Sequence, residues 1–201
     1  MTDPNVTETT IVEVTPETTA IVKQEMPDAT DETIAETAAL FEAIKKRATA
    51  EFQAAGELTR EAYLNAVTKA SDAIDENKST AKDRMTEAVS LIKKESEKNW
   101  LVLDAIKTRA QAQVQDAGEV SREAYLKAVR QAREAVEQNK LIERDRIEQA
   151  VDDIQKHTEK NWHVVVGEIE SLGTRLKETA KSAWSALTAF VEKSRNNGGD
   201  S

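Results

Sequence analysis

His157 and His163 are the two side chains whose unperturbed pKa allows proton chemistry near neutral pH. They stand six positions apart, so they do not share a helical face, and a metal site would need further close ligands. Both are read as solvent-facing, with no metal bound. Carboxylates are abundant, but none stands in an apolar stretch that would tune it for acid–base work. There is no cysteine, which excludes thiolate chemistry and disulfides, and no nucleotide loop or nucleophile motif. The chain is read as non-enzymatic, with no catalytic residue and no cofactor.

Aromatic residues are the other candidates for function. Trp100 and Trp162 each close a Lys-Asn-Trp run, and an apolar ring with a polar N–H suits an anchor at a partner or lipid interface as well as it suits packing. Their shared setting exposes an internal repeat. Residues 43–100 overlay 105–162 with 31 of 58 positions identical, a unit of 62 residues repeated without a gap. Conserved between the copies are Gly56/Gly118, Ala62-Tyr63-Leu64/Ala124-Tyr125-Leu126 and Asn77-Lys78/Asn139-Lys140.

Inside the unit lies a finer period of eleven. One column holds Phe41, Phe52, Tyr63, Ile74 and Met85, then Leu103, Val114, Tyr125, Val136 and Ile147. Eleven residues in three turns is about 3.67 per turn, so the apolar stripe keeps to one face of a helix with little drift. With Trp100 and Trp162 at its edge, this stripe is the candidate interaction surface. It is soft, because its other columns are mostly Ala, Thr and Asn, and an alanine contributes little beside the roughly 1.5–3 kcal/mol of a buried Leu or Ile.

The elements that carry the stripe are helices. Proline is absent between Pro27 and the C-terminus, and the segment is rich in Ala, Glu, Lys, Gln and Arg. The fold class is all-α: long amphipathic helices built from two repeats, arranged either as an extended coiled-coil-like rod or as an antiparallel bundle. Candidate joints are Gly56, Asn77, Asn99, Gly118, Asn139 and Asn161, with Thr59 and Ser121 as N-caps and Thr80 with Asp83 as a capping box. The eleven-residue phase passes every joint without slipping, which tilts the reading towards long helices with weak joints.

The expected organisation is a disordered acidic Thr/Pro tail over 1–27, a helix start over 28–42 and repeats over 43–104 and 105–164. A truncated third repeat follows over 165–195 as one amphipathic helix, then a flexible tail over 196–201. The tail carries two β-branched pieces, Thr10–Val14 and Ala20–Val22. The C-terminal helix presents Leu172, Leu176, Trp184, Leu187 and Phe190 on one face, suited to lipid or a partner groove.

Charge limits the partners. The net charge is −9, and residues 1–39 carry nine acidic residues against one lysine, which leaves the repeats nearly neutral. That lacks the basic footprint of a nucleic-acid binder. No apolar run approaches the roughly 20 residues of a membrane span, and Met1–Asn5 does not open like a secretory signal. The expected location is intracellular (cytoplasmic), the protein being either soluble or peripheral to a membrane or granule. Expected partners are other copies, other helices, or a lipid or granule surface, with no small-molecule substrate.

From Phe41 to Met85 and again from Leu103 to Ile147, the eleven-residue stepping resembles two families. They are the group 3 late embryogenesis abundant proteins and the exchangeable apolipoproteins. In size and character the chain also looks like a phasin, the helical coat of storage granules. The resemblance covers residues 40–194 and implies a non-enzymatic protective or coating role, related to stress, in which the stripe gains a surface. The alternative is a constitutively folded scaffold that self-associates.

Overall fold

The computed structural model describes residues 13–75, 82–138 and 142–197. The joints Asn77 and Asn139, the Thr80 half of the capping box, residues 1–12 and Gly198 onward lie outside them. Every regular element among the described residues is helical: α1 Pro16–Glu25, α2 Asp31–Ala55, α3 Arg60–Asp75, α4 Lys82–Ala117, α5 Arg122–Glu137, α6 Arg144–Lys160, α7 Trp162–Leu172, a 3-10 turn Gly173–Arg175, and α8 Leu176–Asn197.

The chain does not run on as a rod. Gly56 and Gly118 adopt φ of +70° and +67°, the left-handed conformation that ends a helix and that glycine enters without penalty. After each, a hydroxyl restarts the helix: Thr59 accepts from the Ala62 N–H and Ser121 from the Ala124 N–H, both at 3.2 Å. The helices that follow, α3 and α5, begin and end 62 positions apart. Turning covers the stripe with neighbouring helices, which a lone rod could not do.

Two compact units result. The first comprises the chain to Ala54 together with Tyr63–Lys94. Its core gathers Val22 of α1, Ile34, Phe41 and Ile44 of α2, Val67 of α3, and Met85 and Ile92 of α4, with alanines 38, 48, 66, 70 and 88 between them. Phe52 and Tyr63 meet edge to face at 5.6 Å on its flank. Ion pairs Arg84–Glu36 and Lys94–Glu25 tie α4 to α2 and α1.

The expectation of a disordered tail over 1–27 is corrected from Pro16 to Glu25, which is helix. Bulk composition hid three local features: Thr15 caps the Thr18 N–H at 3.2 Å, Pro16 sits in the first turn where its missing N–H costs nothing, and Val22 is fully buried. Thr15 and Thr18 also donate to the Glu42 carboxylate on α2.

The second unit comprises Ala55–Ala62 and the chain from Glu95. Its core is built from Leu103, Ile106 and Val114 of α4, Tyr125, Val129 and Val136 of α5, Ile147 and Ile154 of α6, Val165 and Ile169 of α7, and Leu176 and Leu187 of α8. Contacts fix the directions. Gln113 bonds Gln131 across the α4–α5 hairpin, Arg133 lies 3.7 Å from Glu148 across α5–α6, and Arg146 reaches back to Asn99 at 2.8 Å and Glu95 at 3.3 Å.

Two further expectations change here. Asn99 is not a joint but lies inside α4, its side chain accepting from Arg146, whereas Asn161 does break the path, with φ −130° and ψ +39° between α6 and α7. The C-terminal repeat is not one helix. Gly173, at φ +46°, ends α7, and α8 turns back so that Lys177 pairs with Asp116 at 2.9 Å and Trp184 lies under the Arg109 guanidinium at 4.9 Å.

Candidate functional site

Most of the residues expected to form an external stripe face inward. Phe41, Met85, Trp100, Leu103, Val114, Tyr125, Val136 and Ile147 are buried, while Phe52, Tyr63, Ile74 and Trp162 are half-buried. On the C-terminal face Leu176 and Leu187 are buried and Leu172, Trp184 and Phe190 half-buried. Trp162 packs on Tyr125 at 6.0 Å between ring centres. The eleven-residue column is therefore the core seam of the folded chain, for the ordinary reason that apolar area leaves water when a neighbour is in reach.

The polar chemistry collects elsewhere, beneath the Gly56 turn in the second unit. Lys107, on α4, is buried, and its ammonium donates to the Leu58 carbonyl at 3.2 Å and lies 3.1 and 3.0 Å from the two carboxylate oxygens of Glu168 on α7. Gln111, one helical turn along and 1% exposed, donates to Glu168 at 2.8 Å. The ammonium and carboxylate are thus paired and hydrogen-bonded, which is the condition for keeping charges out of water. Leu58 itself is buried, and Gly56 sits against the Asn161 side chain, whose atoms would come within 3.7 Å of an added Cβ.

Around this centre the titrations shift. Burial raises Asp104, with Lys107 and Arg60 opposing, and burial raises the Tyr125 phenol, with Glu168 adding to it. His157 is lowered by burial and by Lys107, and its Nε2 is buried without a hydrogen-bond partner. The reading of both histidines as solvent-facing is corrected for His157, which is half-buried with its Nε2 out of water; His163 is exposed. The reading that no carboxylate has an apolar setting is likewise corrected: Asp104 stands between Leu103 and Ala105, and burial also raises Asp153 on α6. Elsewhere on α4 Glu95 is pushed up by burial but held lower overall by Lys98 and Arg146.

The cluster is not legible in the sequence because its members lie on three separate segments, the Gly56 turn, α4 and α7. The one available signal was Glu168, an acid at the 62-residue equivalent of the apolar Ile106. Among the described residues no group of three or more His, Cys, Asp or Glu is placed to hold a metal ion, and no helix is long and apolar enough to cross a membrane. What the arrangement does chemically is clamp: one buried cation holds a turn by its backbone and a helix by its carboxylate. No family model, curated protein or solved structure matches the chain.

Proposed function

We propose that the chain is a non-enzymatic helical-repeat protein that closes on itself in water and binds a membrane, lipid or granule surface by opening its helices, in a coating or protective role inside the cell. The observation that supports this reading is the phase of the stripe. Phe52 and Tyr63 lie eleven apart across the Gly56 turn, and Val114 and Tyr125 lie eleven apart across the Gly118 turn. A bundle needs no such agreement between helices that a turn separates. Straightened, the same residues fall on one apolar face, broken by Ser96 and Thr158 at the end of each unit, and a face of this kind suits an interface between water and lipid. An alanine-rich core makes the closed form correspondingly less costly to open.

The α4–α5 hairpin offers the test. Cysteines at Gln113 and Gln131, exposed neighbours in the closed form, carry spin labels in this cysteine-free chain. On neutral lipid vesicles their separation grows to about 27 Å, the length of the intervening helix at 1.5 Å per residue. Co-sedimentation with vesicles at unchanged label distance removes the opening step, and failure to sediment with them removes the surface role.

The second reading is a constitutively folded scaffold. It is favoured by how completely the stripe is covered: among the described residues Val120 is the one large apolar side chain that stands exposed. Helix content and label distance that ignore vesicles, with mass that rises with concentration, belong to this reading.

A further inference from the structure

The two copies of the glycine turn have the same geometry and different surroundings. Gly56-Glu57-Leu58-Thr59 and Gly118-Glu119-Val120-Ser121 share the positive φ at glycine and the 3.2 Å hydroxyl cap. Leu58 is 5% exposed, its carbonyl held by Lys107 and its glycine lying against Asn161. Val120 is 42% exposed, and nothing lies within 4 Å of a Cβ built on Gly118. One turn is seated and the other is bare.

The seat is duplicated as well. Lys107, which holds the Leu58 carbonyl, and its α4 neighbours Asp104 and Gln111 correspond, 62 positions earlier, to Lys45, Glu42 and Thr49 on α2. There the start of α1 reaches one of them, Thr15 and Thr18 donating to Glu42. The three α2 residues line, with Glu13 and Lys46, an open depression of about 340 Å³ in the first unit, and Lys45 is exposed. In the other direction the equivalents are Val166, Ile169 and Gly173, so the chain's third repeat offers the Val120 turn no lysine.

From this we infer that the bare turn of one molecule docks on the open seat of a second copy, Val120 and its carbonyl engaging Lys45 between Glu42 and Thr49 as Leu58 engages Lys107. The partner is a second copy of this chain because the seated turn, with its carbonyl on Lys107, supplies the template for a matching turn on the equivalent Lys45. Donor and seat are different surfaces, so the contact is heterologous and head to tail, and assembly continues into an open filament or closes as a ring. This does not rest on the surface-binding role, and its test contains no lipid.

The experiment is sedimentation velocity of the full chain over a hundredfold concentration range. The expected result is a mass that rises above the 22.2 kDa monomer with concentration. Val120→Glu and Lys45→Glu alter exposed positions, and each alone stays monomeric with unchanged circular dichroism. An equimolar mixture of the two gives a dimer and nothing larger, because one donor and one seat remain intact. A wild type that stays monomeric throughout overturns the inference, as do single variants that assemble like wild type or a mixture that forms no dimer.

Discussion

Lys107 Nζ and the Glu168 carboxylate lie 3.0 Å apart, with the lysine side chain 11% and the glutamate side chain 24% exposed, and the same ammonium holds the Leu58 carbonyl. Removing one member leaves the other charge without its partner in a poorly solvated site. Lys107→Ala is expected to lower stability by about 2–4 kcal/mol, read from urea midpoints, with Glu168's residual exposure keeping the loss below that of a fully buried pair. The double change Lys107→Leu with Glu168→Leu restores much of the loss. A double variant as weak as the single would show that the hydrogen bond to Leu58, not the charge pair, dominates.

Three glycines separate conformation from space. At Gly56 and Gly118 an alanine meets no steric obstacle closer than 3.7 Å, but must adopt a left-handed backbone, so each substitution costs about 1–2 kcal/mol. Gly167 lies inside α7 with open space around a Cβ and no positive φ, so Gly167→Ala stabilises by about 0.5–1 kcal/mol. Thermal midpoints of the three variants check the signs.

The alanine-rich seam concentrates stability in few side chains. Ile106→Ala, at a fully buried position on α4, is expected to cost about 2–5 kcal/mol by chemical denaturation. Trp184→Ala, half-buried under Arg109, loses about 1 kcal/mol, the scale of an exposed cation–π contact. Comparable losses at the two sites would mean that α8 packs more tightly than its exposure indicates.

Acid should loosen the second unit through His157. Burial and the Lys107 ammonium lower its pKa, with Glu168 opposing and His163 adding to the lowering. The folded chain therefore binds this proton less readily than the unfolded one. Its stability is complete above the free imidazole value of about 6.5 and is lost as pH falls from there through the folded value. Asp104 and Asp153, whose pKa burial raises, act with the opposite sign, and Glu95, held lower, adds to the loss in acid, so the contribution of His157 is isolated by comparing variants. Between pH 7.5 and 5.5 the urea midpoint should drop for the wild type and drop less for His157→Gln. Equal drops would remove His157 as the cause.

The helical class and the turn chemistry were legible in the amino-acid order, since both are local. An eleven-residue period, the absence of proline beyond Pro27, and Gly-Glu-Leu-Thr beside Gly-Glu-Val-Ser determine helices, their face and two of the places where they end. Where the stripe points was not local. A seam of this period serves equally as an external face or an internal one, and the answer depends on whether the glycine turns close. Glu-Lys-Asn-Trp illustrates the limit: at 97–100 it is unbroken helix, its asparagine held by Arg146, and at 159–162 it is a break, its asparagine set against Gly56. Identical residues carry identical propensities, so only their tertiary neighbours decide between the two outcomes. The same holds for Leu58 and Val120, buried and bare on matching turns, and for the clamp of Lys107, Gln111 and Glu168, whose members lie on helices far apart in the chain. Their pairing is a property of the fold, because a buried charge is tolerated only where packing brings it a partner.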